Sequence, residues 1–476
     1  MNFAGLIFLL ITHYLSGSGC LRLIRLEVKP IPLFCLSLMA GVPLLSFAPC
    51  ILQLLNIPID SKSVYISIAA FTAVFCIPLL VNFKIPKFKK IAMPGLYEWP
   101  FLIVCMMLII ISVWRCFYFP PYARDMLSGP ELLAEFAVRE KTMVSSVFTV
   151  ELQTTNNYLK SPFITSLQII YKLLVSPFGQ VWLSVLFVSF MGWLYTLLRE
   201  RIHPLLAAFL LMFFLMMPDV YAYSYILLYD YSNMIFFFCG FYFIIKYVDN
   251  DRLSDLICSA FLFGLATYIR TETLALIVMI MPVPAFYFYK KRVSVQKAAI
   301  RLGIFLAFPV AFYFICMNLF VRNFVPFSFD VASQVKFSNI SFFFERLNDM
   351  NTKLIFSPIG IEIYGYFFYF FCGLLLIDLI FFRRFSRKAL IVLYGIAVVY
   401  IGMALLGYLV PLVDLLNTTK RGLFKALPLM LLYMADSALM QRISQGIKTW
   451  EYALPGKKPV TKPVTKPGIK QKQKKK

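Results

Sequence analysis

The chain has 476 residues, of which 61% are hydrophobic and only 14% are charged, and its formal net charge is +23. A soluble domain of this length is about half apolar and about a quarter charged, so a secreted protein and a nucleic-acid-binding protein are both excluded. The ten cysteines occur singly and His13 and His203 are the only histidines, so no disulfide framework or structural zinc site is expected. Composition predicts an integral membrane protein.

About 20 consecutive apolar residues cross a bilayer as a helix, and about thirteen runs of this kind are predicted, several of them short. They lie near residues 3–17, 31–56, 64–83, 99–118, 181–198, 204–218, 232–248, 254–268, 273–289, 302–320, 361–382, 389–410 and 422–440. The predicted fold class is therefore all-α, a polytopic helical membrane bundle of about 13 transmembrane helices.

Lysine and arginine concentrate in alternate loops. These loops contain Arg22, Arg25, Lys29, Lys84, Lys87, Lys89, Lys90, Arg199, Arg201, Lys246, Arg252, Lys290, Lys291, Arg292, Lys297, Arg301, Arg383, Arg384, Arg387 and Lys388. Roughly 31 of the 46 basic residues fall on this side with about 9 acidic ones, against roughly 15 and 14 on the other. Because the basic side faces the cytoplasm, we expect the N-terminus outside and the C-terminus in the cytoplasm. The compact loops and the lack of signature domains favour a bacterial inner membrane over the endoplasmic reticulum as the location.

Three sections follow from this pattern. Residues 1–98 are N-terminal transmembrane helices, residues 99–440 form a transmembrane module that carries the candidate chemistry, and residues 441–476 form a basic cytoplasmic tail. The tail is expected to be disordered, because its Pro-Val-Thr-Lys repeats cannot bury apolar surface. Attraction to anionic lipid and a purely topogenic role are both open for it.

Two long hydrophilic stretches are expected outside the cytoplasm, at residues 119–180 and 322–360. In the first, residues 131–141 have apolar side chains at helical spacing, which predicts an amphipathic helix along the outer interface. Phe163–Leu174 is apolar but too short to span and is interrupted by Lys172, which predicts a second interfacial or re-entrant helix.

Ionisable residues recur at the outer ends of the predicted spans. Asp125 follows the fourth span, Asp230 precedes the seventh, Glu272 stands between the eighth and ninth, and Arg421 opens the last. Ionisable groups at a membrane boundary are costly and usually mark a pathway or a site. We therefore expect these four residues to converge at one outer cavity.

The order of these motifs resembles the GT-C superfamily of multi-span glycosyltransferases, which use polyprenyl- or dolichyl-phosphate-linked sugars. The protein O-mannosyltransferase and aminoarabinose transferase branches are the most similar. The resemblance covers residues 99–440. The matching elements are Tyr122-Ala-Arg-Asp125, Lys160-Ser-Pro162, Ser176-Pro-Phe-Gly179, Asp230 before an aromatic-rich span, Phe263-Gly-Leu-Ala266 through Arg270, and Arg421 with Pro428.

The resemblance implies transfer of a sugar from a polyprenyl-phosphate donor to a glycan, lipid or protein acceptor at the extracytoplasmic face, with inversion. A carboxylate removes the acceptor proton and cations bind the departing phosphate. The expected catalytic residues are Asp125 and Asp230. The expected substrate-binding residues are Arg124, Glu131, Lys160, Tyr229, Tyr231, Arg270, Glu272, Lys420 and Arg421. A single Asp125 stands where the family has an acidic pair, so dependence on a divalent cation stays open.

Each of these residues has a structural alternative. Asp125 is also suited to pair with Arg124, Asp230 to cap the following helix, and Arg421 to extend its charge to the interface. A transporter, or a flippase or polymerase of lipid-linked glycans, is the alternative function. No internal repeat is visible, and the ionisable residues gather at span ends rather than at mid-span, which favours the transferase.

Overall fold

A computed structural model describes residues 1–81, 94–150, 160–325, 335, 339–383, 385–410 and 413–453. All regular structure in these ranges is helical, which confirms the all-α class. The basic segment at residues 84–90, most of the loop after residue 325 and the tail from residue 454 lie outside the described residues.

The α-helices follow one another in chain order. They are α1 Phe3–Leu23, α2 Pro30–Leu45, α3 Phe47–Leu54, α4 Ser61–Val81, α5 Trp99–Tyr118, α6 Arg124–Leu127, α7 Pro130–Glu140, α8 Val147–Val150, α9 Phe163–Leu174, α10 Val181–Arg199, α11 Pro204–Leu215, α12 Pro218–Ala222, α13 Tyr229–Asn250, α14 Leu253–Ile269, α15 Thr273–Ile280, α16 Pro282–Lys290, α17 Val295–Phe314, α18 Arg322–Phe324, α19 Ser341–Asp349, α20 Pro358–Tyr364, α21 Phe367–Ile377, α22 Arg387–Leu409, α23 Lys420–Gly422, α24 Leu427–Asp436 and α25 Ala438–Ala453. Short π-helical or 3₁₀ turns join several of them, at Leu96–Glu98, Ile315–Val321, Met350–Ile355, Asp378–Phe382, Leu415–Thr419 and Leu423–Ala426.

The described residues include nine helices that are long and apolar enough to cross a membrane, or eleven if two bent pairs each count as one span. The bent pairs are α20 with α21, at 97°, and the segment Leu415–Asp436 with α25, at 51°. Two further predicted spans coincide with α11 and α14, which have only 12 and 17 residues. The chain is thus an integral membrane protein, with nine to eleven long apolar helices among its described residues.

The centre of the bundle is α13, which is buried along almost its whole length. It packs against α14, and its aromatic side chains interlock with those of α10, where Trp193 lies edge-on to Phe238 at 5.6 Å. The N-terminal helices pack more closely still. A Cβ at Gly41 of α2 would lie 1.9 Å from the His13 carbonyl oxygen of α1, so only glycine permits this approach.

The sequence predicted α9 with its observed bounds, as an interfacial or re-entrant helix, but it did not predict that other helices enclose it. Phe163 through Tyr171 are all buried, enclosed by α2, α3, α4, α7 and α10. Lys172 does not end the helix, because its ammonium pairs with Glu131 at 2.6 Å and with Glu135 at 3.1 Å. Two carboxylates of α7 therefore stabilise a lysine at the end of a buried helix. Although burial opposes ionisation of Glu135, the hydrogen bonds from Lys172 and Arg139 keep its pKa below the ordinary value.

The Lys172→Met substitution should destabilise the protein strongly. It leaves Glu131, whose side chain is 13% exposed, without its cation, and an unpaired buried charge costs about 3–5 kcal/mol. The thermal unfolding midpoint of the detergent-solubilised protein measures this. The double variant Lys172→Met/Glu131→Gln should recover part of the loss, and an unchanged midpoint in the single variant would contradict the assignment.

The ion pairs that join different segments form two groups, one at each end of the bundle. Each end is named below after one of its residues, Asp125 or Lys388. At the Asp125 end they are Lys172–Glu131, Arg270–Asp230, Lys420–Asp219 and Arg421–Asp125. At the Lys388 end they are Lys29–Glu200, Arg199–Glu98, Arg201–Asp436, Arg252–Glu27, Arg301–Asp251 and Lys388–Asp249. Each pair joins segments that the charge alternation assigns to the same side.

The tail needs one correction, because residues 441–453 are helical and belong to α25. The carboxylate of Asp378 accepts hydrogen bonds from the backbone N–H groups of Ala438 and Leu439 and so caps this helix. The backbone N–H of His203 donates to the Ser444 hydroxyl at 2.8 Å, which ties α25 to the start of α11. These contacts are tertiary, so the local composition of the tail gave no sign of them.

Candidate functional site

Four segments far apart in the chain meet at the Asp125 end. Asp125 lies in the first turn of α6, and Asp230 lies in the first turn of α13. Arg270 has an extended backbone directly after α14, which places it and Glu272 in a turn between α14 and α15. Arg421 is in the short helix α23 that leads into the last apolar segment. Helix ends and one turn between helices thus present all five side chains to one region.

These residues form one ion network. The Arg270 guanidinium pairs with Asp230 through Nη1 and with Glu272 through Nε. Arg421 Nη1 lies 3.2 Å from Asp125 Oδ2 and 4.0 Å from Asp230 Oδ2. The structure therefore brings together the four residues that the sequence predicted to converge, and it adds Arg270 as the link between the buried Asp230 and the partly exposed Glu272.

The two aspartates differ in their surroundings. The side chain of Asp230 is 2% exposed and lies between two arginines. The side chain of Asp125 is 54% exposed and contacts Arg421 through one oxygen. Arg421 is itself held by Asn417, whose backbone carbonyl accepts from Nε at 3.1 Å and whose amide oxygen accepts from Nη2. Asp125 is thus the most exposed carboxylate of the network, and a second molecule can reach it.

Lys160 lies beside the network. Its ammonium is 5.8 Å from the centre of the Tyr229 ring, and the Tyr229 hydroxyl donates to the Ser161 carbonyl at 2.8 Å. The residue keeps an exposed edge but is surrounded by protein on its inner side. Burial and, second to it, the positive charge of Arg270 lower the pKa of Lys160 to about 8, although the negative charge of Asp230 opposes this shift. Its charge therefore changes in a physiological range.

Lys425 is a residue of this region that the sequence analysis missed. It is 2% exposed, in the turn Leu423–Ala426 that packs against α13, and Arg270, Glu272 and Asp230 are the charged groups that influence it. Within the described ranges, no carboxylate lies within ion-pair distance of its ammonium. A lysine inside a predicted membrane span usually marks a functional site. Lys425 lies inside the last predicted span, so the sequence alone could have identified it as a candidate.

Three predicted substrate-binding residues have other partners. Glu131 contacts Lys172 and accepts a hydrogen bond from Gln168 at 2.6 Å. Lys420 pairs with Asp219 at 2.8 Å. Tyr231 is fully buried and lies edge-on to Phe187, so it belongs to the packing between α13 and α10.

Arg124 is exposed next to Asp125, and its guanidinium has no polar partner among the described residues. The predicted alternative in which Arg124 neutralises Asp125 is therefore not seen, because Arg421 takes that place. This pairing leaves Arg124 accessible at the surface of the site.

The arrangement has an excess of positive charge. The cations Lys160, Arg270, Arg421 and Lys425 stand against three carboxylates, which leaves one positive charge. In the described part of the chain, no three His, Cys, Asp or Glu side chains form a group suited to a metal ion. The carboxylates that are close together instead face guanidinium groups. The arrangement is suited to an anion with a nearby nucleophile that must lose a proton.

A narrow cleft opens beside Lys160. Its walls are mainly apolar and include Leu133, Phe148, Phe320 and Phe324. The cleft is small, about 40 Å³, and Lys160 adds a positive charge to its lining.

Neither protein-family models nor curated proteins nor solved structures match this chain. What the site does must therefore be argued from its own residues.

Proposed function

We propose that the protein is a membrane glycosyltransferase of the GT-C type. It transfers a sugar from a polyprenyl-phosphate-linked donor to a hydroxyl group of a glycan, lipid or protein at the extracytoplasmic face. The observation that carries the proposal is the network in which an exposed Asp125 shares Arg421 with the buried Asp230. A reachable carboxylate and a surplus of cations stand side by side there, as an inverting transfer from a phosphate leaving group requires.

The donor phosphate binds to the cations of the network. Arg421 offers a planar guanidinium that binds phosphate in bidentate fashion, while Lys160 and Lys425 act as point charges. The cleft beside Lys160 has a volume of only about 40 Å³, so at most the start of the polyprenyl chain contacts its apolar walls and the rest of the chain lies in the bilayer. Because the cations are already positioned by Asp230 and Asn417, little reorganisation is needed when the leaving group gains negative charge.

The reaction is a direct displacement. The acceptor hydroxyl oxygen attacks the anomeric carbon, the bond between that carbon and the phosphate oxygen breaks, and its electron pair leaves with the polyprenyl phosphate. The carboxylate of Asp125 takes the acceptor proton. One bond forms as one breaks on the opposite face, so the anomeric configuration inverts.

Asp230 has a different role from Asp125 in this scheme. It is buried between Arg270 and Arg421. If Asp230 took up a proton, the positive charges of both arginines would lose the negative charge that balances them. We therefore assign Asp230, which the sequence analysis grouped with the catalytic residues, to the positioning of these cations. Glu272 holds Arg270 from its other side.

The proposed topology has thirteen spans with the Asp125 end outside the cytoplasm. It counts α11 and α14 as spans, since both lie in the bundle between loops of opposite ends. The basic loops at the Lys388 end support a cytoplasmic location for that end. An extracytoplasmic N-terminus and a bacterial inner membrane complete this proposal.

Donor binding should weaken as the pH rises through about 8. Below this pH the Lys160 ammonium is protonated and attracts phosphate, and above it the amine is neutral. The donor is a phosphodiester, so its own charge stays constant. The KM for the donor between pH 6.5 and 9.5 measures the effect. Lys160→Arg should flatten most of this pH dependence, because guanidinium stays charged, whereas Lys425 still carries an amine. An equal rise of KM in this variant would exclude Lys160 as the cause.

The function is tested with purified protein in liposomes and a panel of undecaprenyl-phosphate sugars. Release of undecaprenyl phosphate that depends on an acceptor is the expected result. Undecaprenyl phosphate alone should also bind, more tightly than dioleoyl phosphatidic acid does. If the protein instead moves the intact donor across the bilayer without releasing the sugar, the flippase alternative replaces the transferase.

A further inference from the structure

A second lipid-facing feature lies at the opposite end of the bundle. A groove of about 380 Å³ is formed between α16 and α22 near the C-terminal end of α13. Val248 of α13 lines it, about 27 Å along the helix from Asp230, so it is separate from the candidate active site. The proposal about this groove does not depend on the transferase function.

The walls of the groove are apolar and open sideways. Its lining includes Val283, Phe286, Leu390, Ile391 and Tyr394. Phe286 and Leu390 are 66% and 53% exposed and belong to apolar helices long enough to cross a membrane. The apolar side chains that line the groove leave a channel between α16 and α22 that suits an acyl chain.

The mouth of the groove carries uncompensated positive charge. Arg387, the first residue of α22, lies over the Tyr287 ring at 5.2 Å, and Lys291 lies over the same ring at 5.8 Å. Among the described residues, no carboxylate lies within ion-pair distance of either cation. The nearby acidic groups are already paired, Asp249 with Lys388 and Asp251 with Arg301.

We infer that this groove binds one anionic phospholipid, whose acyl chain lies along the apolar walls and whose phosphate contacts Arg387 and Lys291. The charge at the mouth favours an anionic headgroup over a neutral one. The guanidinium of Arg387 binds the phosphate oxygens, and the aromatic ring of Tyr287 fixes the two cations at the headgroup level. The site belongs to the leaflet at the Lys388 end.

The test is a titration of the delipidated, detergent-solubilised full-length protein with dioleoyl phosphatidylglycerol or dioleoyl phosphatidylcholine. Bound lipid is counted by native mass spectrometry. One phosphatidylglycerol should bind in preference to phosphatidylcholine. Arg387→Gln should weaken phosphatidylglycerol binding roughly five- to tenfold, because one cation near an anionic headgroup is lost.

Lys388→Gln is the matched control, since it removes the same charge from the next residue, where Asp249 already pairs with it. Its affinity should stay within about twofold of the wild type. An equal loss in both variants would mean a diffuse electrostatic effect and would overturn the proposal, as would unchanged binding in Arg387→Gln. Ile391→Trp, which fills the groove, should abolish the bound lipid. If that variant folds and still retains phosphatidylglycerol, the groove is not the site, and if it fails to fold, the Arg387→Gln result decides.

Discussion

Replacing Asp125 with asparagine should lower the turnover number about 10²- to 10⁴-fold, the usual contribution of a general base. The amide keeps the size of the side chain and accepts a hydrogen bond from Arg421, but it cannot take the acceptor proton. Since Asp125 is half-exposed, the substitution does not leave an unsatisfied buried group. The KM for the donor should change little, because the cations that bind its phosphate are intact.

Glu362→Gln provides the control for this substitution. Glu362 is an exposed carboxylate of α20 at the same end of the bundle, and it lies outside the ion network. The turnover number of this variant should equal that of the wild type. Wild-type activity in Asp125→Asn, with an unchanged unfolding midpoint, would exclude Asp125 as the base and would return Asp230 to consideration.

Arg421→Met should lower the turnover number about 10²- to 10³-fold, the effect of removing one group that stabilises charge in the transition state. Among the described residues, Arg421 is the one cation that contacts both aspartates of the network. The loss of Arg421 removes a contact to the donor phosphate and also breaks the ion pair with Asp125. Arg421→Lys keeps the charge but loses the bidentate geometry, so its activity should lie between that of methionine and that of the wild type.

Arg322→Met separates a specific role from a general effect of charge. Arg322 is an exposed arginine of α18 at the same end, and its side chain is not part of the network. Its variant should retain wild-type activity. If Arg421→Met loses activity only through a higher KM for the donor, with an unchanged turnover number, Arg421 binds the ground state and does not stabilise the departing phosphate.

The membrane fold was predictable because the signal for a span is local. Each run of apolar residues requires lipid as its solvent, whatever its neighbours are, and α5, α10 and α22 follow directly from such runs. The bounds of α9 were also predictable from its apolar length. Its burial was not, because Lys172 looks like the end of a lipid-facing helix until Glu131 and Glu135 of another helix neutralise it.

The candidate site was predictable in part. Asp125, Asp230, Glu272 and Arg421 stand out because each is an ionisable residue at the outer end of a span. Lys425 was missed because it lies inside a predicted span, where the apolar run hides one charge. Glu131 and Tyr231 were included because they lie near the motifs in sequence, although helix packing directs them to Lys172 and Phe187.

By itself, the sequence determined that this chain is an all-helical membrane protein, that its two ends differ in charge, and which ionisable residues stand at the span ends. These properties depend on hydropathy and charge over short windows. Only the tertiary structure decided which charges meet. Arg421 pairs with Asp125 across 296 positions, and Arg270 reaches Asp230 across 40. Such pairings depend on how distant helices pack, and no local pattern encodes that packing, so the difference between an exposed Asp125 and a buried Asp230 appears only in the folded chain.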